Sequence, residues 1–334
     1  MIEPAGEAAM KCLVVGGAGY IGSHMVKHLA DAGHRVIVFD NLSTGFRDAV
    51  LRGSFILGEL SDTGFIARVL RDEAIDVVFH FASSIQVSES SADPAKYYRN
   101  NVVHTLNLLD AMLSAGVNRI VFSSTAAVYG EPQQIPIPDD HPRQPINPYG
   151  RTKAMVEDVL RDYHAAYGLQ SFSLRYFNAA GADPDGEIGE RHDPETHLLP
   201  LILQVASGRR EAIAVFGRDY DTPDGTCIRD YIHVTDLARA HELAFMTLVA
   251  QGGCHACNLG TGQGYSVAQM IAAVERVTGR RIKVEERSRR SGDPARLVAD
   301  ARRAAALLGW RPTLSDLETI IAHAWAWEQC LAQR

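Results

Sequence analysis

The segment that most constrains this chain is Gly16-Gly17-Ala18-Gly19-Tyr20-Ile21-Gly22, which follows a short apolar run and precedes a helical pattern. Glycines spaced as Gly16, Gly19 and Gly22 allow a tight turn, close approach of backbone to a diphosphate, and close packing of helix on strand. The helix start beyond them offers unpaired N–H groups to phosphate charge. In that setting the motif predicts a dinucleotide site built on a strand, a turn and a helix. Asp40 ends the next apolar run, where an acid meets the adenosine ribose hydroxyls and repels a 2′-phosphate. No Arg follows Asp40 at once, so the pattern favours NAD over NADP.

The rhythm of the first half agrees with such a unit. Short apolar runs at 12–15, 35–40, 54–57, 77–81, 120–124 and 171–177 predict parallel strands covered on both faces. Between them lie helical stretches at 24–32, 65–72, 98–115 and 155–167. This alternation implies right-handed crossovers and an α/β, Rossmann-like, doubly wound parallel sheet over residues 11–178. Residues 1–10 are expected to form a disordered extension, and their acids and missing apolar core do not suit a signal peptide. From 181 to 197 the chain is rich in Gly, Asp, Glu and Pro and reads as a long loop, a kind that is usually functional. Residues 179–334 are expected to form mainly a smaller C-terminal substrate domain, with some pieces rejoining the sheet.

Charge and cysteine content narrow the class. The net charge of -7 argues against a nucleic-acid partner, and no apolar run reaches the ~20 residues that span a bilayer. A cytoplasmic location is expected. The five cysteines suggest no disulfide framework. Cys254 and Cys257 form a lone C-x-x-C with no second pair to complete a zinc site, so they are read as sheet residues and no metal is expected.

The chemistry is read from Asn147-Pro148-Tyr149-Gly150-Arg151-Thr152-Lys153. Asn147 suits a helix cap and Pro148 the first helical position. Tyr149 and Lys153 then share a helix face. A nearby ammonium is expected to lower the Tyr149 pKa and make it a usable general base, helped by the positive charge of an oxidised nicotinamide. Ser123-Ser124-Thr125 ends an upstream strand, and a hydroxyl there can bridge Tyr149 and a substrate oxygen.

Together the glycine fingerprint, Ser-Ser-Thr and Tyr-x-x-x-Lys resemble the extended short-chain dehydrogenase/reductase family, and within it the UDP-glucose 4-epimerases. Further matching pieces are Tyr-Tyr-Arg-Asn-Asn at 97–101, Leu-Arg-Tyr-Phe-Asn at 174–178, Phe-Gly-Arg-Asp-Tyr at 216–220 and Cys-Ile-Arg-Asp-Tyr-Ile-His-Val at 227–234. The resemblance runs from about Lys11 to about Trp327.

The resemblance implies a tightly bound NAD that returns unchanged, and a 4-keto sugar that turns over in the site. Tyr149 would exchange the proton of the sugar 4-hydroxyl, Thr125 would steady the 4-oxygen, and Lys153 would bind the nicotinamide ribose. Implied cofactor contacts are Tyr20 and Ile21 after the first strand, and Asn41, Leu42, Ser43, Thr44 and Gly45 after the second. Glu59 and Leu60 follow beside the adenine, with Glu59 where many relatives carry Asp. Phe81, Ala82, Ser83, Asn100, Ser123, Tyr176 and Phe177 complete that set. Ile85 belongs to it too, although it stands where some relatives carry Lys. For the UDP-sugar, the implied contacts are Asn178, Leu198, Phe216, Arg229, Arg290 and Asp293, with His197 where many relatives carry Asn. Leu297 stands where glucose-restricted relatives carry Tyr, which would leave room for a 2-acetamido group. A homodimer is implied through the helical stretches at 98–115 and 155–167, although the same helices could simply pack on their own sheet.

Within that fold, 4,6-dehydratases and decarboxylases add an acid or base beside the Ser/Thr. Here Ala126 and Ala127 follow Thr125 and cannot transfer protons, which favours simple proton and hydride return. A 4-epimerase of a UDP-uronic acid or UDP-pentose stays open. A non-catalytic NAD-binding protein would typically lack Tyr149 or Lys153.

Overall fold

The computed structural model describes residues 9–290 and 293–333. The expected N-terminal extension lies largely outside the described residues. The chain opens with β1 (Lys11–Val15), α1 (Tyr20–Asp31), β2 (Arg35–Asp40), β3 (Ser54–Leu57), α2 (Thr63–Asp72) and β4 (Val77–His80). Two short helices, α3 (Val87–Ala92) and α4 (Pro94–Tyr97), lead into a π-helical turn at Tyr98–Val103 and then α5 (His104–Ala115). β5 (Arg119–Thr125), α6 (Pro148–Tyr167) and β6 (Gln170–Tyr176) follow. Of the expected strands, those at 35–40 and 54–57 coincide with β2 and β3, and the others differ at their ends by one residue. The expected helix at 98–115 is divided, because its first turn is π-helical, a distortion frequent at functional sites.

After β6 come β7 (Asn178–Ala180), α7 (Leu198–Ala206), β8 (Ile213–Phe216), β9 (Ile228–His233) and α8 (Val234–Gln251). The chain ends with β10 (Cys254–Leu259), β11 (Gly264–Ser266), α9 (Val267–Thr278), β12 (Val284–Arg287), β13 (Arg296–Leu297), α10 (Arg302–Leu308) and α11 (Leu317–Ala332).

Seven parallel strands form the main sheet in the order β10-β6-β5-β4-β1-β2-β3. The order reverses between β1 and β4, which opens a crevice at their carboxyl ends, the place where such sheets bind ligands. Val14, Val38, Phe79 and Val121 are buried on one face with Leu29 of α1 and Phe245 of α8. Leu13, Ile37, Val78 and Ile120 are buried on the other with Leu70 of α2, Leu109 of α5 and Leu160 of α6. This two-sided burial is why the strands read as continuous apolar runs rather than alternating ones.

β10 pairs with β6, and α8 packs across the sheet beside α1, so part of the second half completes the first-half sheet. Cys257 is fully buried in β10, Cys254 lies 3.2 Å from the Ser171 hydroxyl, and all five cysteines are free. The rest of the second half has its own core between α7, α9 and α11. Its small sheet runs β11-β9-β13, with β7 also on β9. Among the described residues no helix is long and apolar enough to cross a membrane.

Candidate active site

The glycine turn is built as a cradle. Gly16 has φ +82°, and a Cβ there would meet the Ala82 nitrogen at 2.5 Å. A Cβ on Gly22 would meet the Gly16 carbonyl at 2.1 Å. Gly19 caps α1 with no side-chain hydrogen bond, so the first-turn N–H groups, Ile21 included, stay available to a phosphate. Asp40 accepts from the Ala18 N–H (2.9 Å) and the Leu42 N–H (2.8 Å), which fixes the turn against the loop after β2. A Cβ on Gly45 would reach Ala18 at 2.8 Å, so that loop also folds tightly back on the cradle. Asn41 donates to Glu59 (3.1 Å) on the exposed rim, where Ser43 and Thr44 also stand, and Leu60 is buried beneath. These features fit a dinucleotide. The Tyr20 hydroxyl donates to the Gly181 carbonyl (2.7 Å), and its backbone stands in the first turn of α1 above the cradle.

The catalytic helix starts as its sequence requires. Asn147 Oδ1 accepts from the Gly150 N–H (2.8 Å), and Pro148 occupies the first turn. One turn in, Lys153 is 1% exposed, and its Nζ donates to Ser83 Oγ and the Ser123 carbonyl, each at 2.8 Å. Burial pushes its pKa down to about 7, and the Glu157 carboxylate one turn further opposes that. Thr125 stands beside Tyr149, which brings the two expected proton-handling groups together. Burial raises the Tyr149 pKa above its ordinary value, and the neighbouring Thr125 hydroxyl only partly offsets it. The expectation that Lys153 lowers this pKa is therefore corrected: the ammonium lies 6.0 Å from the ring centroid, and desolvation outweighs it.

The strand-end hydroxyls divide by strand alternation. Ser123 bonds Tyr176, which ties two expected nicotinamide-side residues to each other. Ser124 turns to the other face and donates to Glu157 (2.5 Å). Glu157 also receives a forked interaction from Arg175 Nε (2.9 Å) and Nη2 (2.6 Å), both residues being more than nine-tenths buried. Asn101 clamps the β4 loop by accepting from the Ser84 N–H (2.8 Å) and donating to the Ser84 carbonyl (3.0 Å), and it reaches Thr152 on α6 (3.1 Å). Its neighbour Asn100 donates to it. The expected set named Asn100 and missed Asn101, Glu157 and Arg175. The adjacent Asn-Asn pair was the signal for Asn101; the other two pair across the fold with no local pattern. Phe81 packs on the His241 ring (4.8 Å between centroids), Ala82 borders the sheet core, and Ile85 is exposed.

On the second-half side, Asn178 starts β7 and donates to the Asp230 carbonyl (2.9 Å). Arg229 on β9 pairs with Asp293, not with Asp230, which is fully buried and accepts from the Thr261, Gly262 and Ala299 backbone. Arg290 stacks on Phe216, 3.9 Å from the ring centroid. Leu297 and Phe177 pack against Val128, Tyr129 and Ala154, which places Leu297 beside the start of the catalytic helix. Leu198 opens α7, and His197 caps it with its ring turned onto Glu190 (2.9 Å) and Glu195 (3.1 Å). Burial alone would lower the His197 pKa, but these carboxylates raise it to about 10. His197 thus faces acids of its own loop.

Residues 12–260 match the NAD dependent epimerase/dehydratase family. The chain is 51% identical over 320 residues to a UDP-glucose 4-epimerase of Halalkalibacterium halodurans, covering 96% of each. The crystal structure of a UDP-glucose 4-epimerase from Brucella ovis in complex with NAD superposes with a TM-score of 0.93 at 52% identity, covering 95% of this chain and 98% of that one. A UDP-glucose 4-epimerase from Stenotrophomonas maltophila, with bound NAD and formylated UDP-arabinopyranose, gives 0.94 at 41% identity over 97% and 99%.

Proposed function

The chain belongs to the NAD dependent epimerase/dehydratase family, and on that premise we propose that it is a UDP-glucose 4-epimerase that interconverts UDP-galactose and UDP-glucose through a 4-keto sugar. The observation that carries the reading is a buried Lys153, anchored by Ser83 and the Ser123 carbonyl, one helical turn from Tyr149, which stands next to Thr125. Bound at the glycine cradle, NAD would supply a hydride acceptor whose positive charge would favour the Tyr149 phenolate. Tyr149 takes the proton of the sugar 4-hydroxyl and later returns it. Thr125 hydrogen-bonds the same oxygen and keeps it in line with Tyr149. Lys153 would meet the nicotinamide ribose, and its anchoring by Ser83 and the Ser123 carbonyl supports that role. Ala126 and Ala127 offer no further acid or base, so the proton that leaves the 4-hydroxyl returns through Tyr149, and the hydride that leaves C4 would return to C4.

Arg229, Arg290, Asp293, Asn178, Phe216 and Leu198 would hold the UDP, with guanidinium forks on the diphosphate. A loose sugar and a firm nucleotide are what turnover of the 4-keto intermediate requires. Leu297, smaller than a Tyr and beside the catalytic helix, extends the reading to UDP-GlcNAc and UDP-GalNAc. The boundary between an NAD half at 11–178 and a substrate half at 179–334, a cytoplasmic location and a role in galactose metabolism belong to the same proposal. So does a homodimer through α5 and α6, where Val103, at the N-cap of α5, and Met155, in the second turn of α6, are exposed (48% and 44%).

The test is to incubate the purified, NAD-loaded protein with UDP-galactose, UDP-GlcNAc and UDP-glucuronate side by side. Conversion of UDP-galactose to UDP-glucose supports the reading. Release of a 4-keto-6-deoxy sugar, or turnover of the uronate alone, refutes it.

A further inference from the structure

Four side chains converge in the loop that runs into α7. Glu190, His192, Glu195 and His197 each present one donor atom, and all four atoms lie within 4.8 Å of one another. His197 Nδ1 is 2.9 Å from Glu190 Oε1 and 3.1 Å from Glu195 Oε1. His192 Nδ1 is 3.3 Å from Glu195 Oε2 and 3.5 Å from Glu190 Oε1. Metal bonds of about 2.0–2.2 Å to N and O place tetrahedral ligands about 3.3–3.6 Å apart. The His192 contacts, at 3.3 and 3.5 Å, already have that length, and the two His197 contacts are a few tenths of an ångström shorter, so a cation would be seated by a small outward shift of the donors.

The charge balance points the same way. The Glu190 and Glu195 side chains are 6% and 7% exposed. Among the described residues, the ion-pair partners of the Glu190 carboxylate are the two imidazoles alone. Two buried carboxylates this close repel each other, and without a cation both charges are offset only if the two neighbouring imidazoles are protonated side by side. A divalent cation offsets both. The neighbouring acidic group of Asp183, Asp185 and Glu187 is different, because the Lys27 ammonium already sits among its carboxylates at 2.9, 2.8 and 3.2 Å.

We propose that Glu190, His192, Glu195 and His197 form a structural site for a zinc-class divalent cation. Imidazole with carboxylate suits that class, and four protein ligands close the site as structural zinc sites are closed. The ion ties the loop to its surroundings. His192 packs edge-on against Tyr20 of the cradle helix (6.3 Å), the Glu190 carbonyl accepts from Trp327 Nε1 (3.0 Å), and His197 caps α7. Binding therefore holds the loop between α1, α11 and the start of α7, without joining the proton transfer.

The experiment uses the chelator-dialysed NAD-loaded enzyme, titrated calorimetrically with zinc chloride, followed by desalting and metal analysis. The expected result is about one zinc per chain with a raised Tm. Glu195→Gln should weaken binding at least tenfold, and His192→Gln/His197→Gln should abolish it, while Cys254→Ser leaves it unchanged. No retained zinc in the wild type, or equal zinc in the double variant, overturns the proposal and leaves a proton-bridged ion cluster in its place.

Discussion

The two sides of the candidate site are held in opposite ways. On the nicotinamide side, Lys153 is held between Ser83 and the Ser123 carbonyl, and Glu157 is locked by Ser124, Arg143 and Arg175. Lys153 and Glu157 stand on a 20-residue helix, and Ser123, Ser124 and Arg175 on seven-residue strands. On the nucleotide side, the candidate groups pair with each other, Arg229 with Asp293 and Arg290 on Phe216, near strands of two to six residues. Proton and hydride transfer need groups fixed to a fraction of an ångström, so their supports are packed into the sheet. Binding a nucleotide needs charged groups that can exchange one partner for another, and these pair with one another beside the small sheet.

Mutations can break this contrast. The largest expected effect is Lys153→Met, which removes the buried ammonium and should lower kcat roughly 10²–10³-fold, within the range of lost acid–base support. Steady-state kinetics on UDP-galactose check it. Next is Glu157→Gln. It leaves the Arg175 guanidinium buried without its counter-charge, and should cost about 3 kcal/mol in a denaturant melt. The sign of its pH effect also follows. Glu157 holds the Lys153 pKa up against burial. Without it the ammonium is lost at lower pH, so the alkaline limb of kcat should move toward acid. An unmoved limb would mean that Glu157 acts on packing alone.

The nucleotide side should respond in KM instead. Arg229→Lys keeps the charge but loses the fork, and should raise KM about tenfold with kcat nearly unchanged. A matching fall in kcat would erase the contrast. The smallest expected effect is Leu297→Tyr, which should leave UDP-galactose turnover within about twofold and reduce that of UDP-GlcNAc. Comparable UDP-GlcNAc turnover by both proteins would remove Leu297 from the specificity reading.

What was legible in the sequence follows the same division. The glycine cradle, the Asn147 cap and the Tyr149–Lys153 spacing are local patterns, and each appears in the structure where its residues place it. Parallel strands were legible because two-sided burial leaves a continuous apolar run. The return of β10 to the sheet edge was expected only in outline, since a strand's own sequence does not name its neighbour. Glu157–Arg175 and Asn101–Ser84 were missed because they join residues 18 and 17 positions apart through the packed core. The Tyr149 pKa was misread for a related reason: spacing reveals the ammonium nearby but not the depth of burial, and here burial dominates.

The central claim is that Tyr149 moves the proton while the cradle holds NAD independently of it. The direct measurement is Tyr149→Phe, with bound NAD and epimerisation followed on the same sample. The account predicts full NAD occupancy and a loss of UDP-galactose turnover of roughly 10²–10⁴-fold. Turnover near the wild-type rate would contradict it, and would make the Tyr149–Lys153 pair structural.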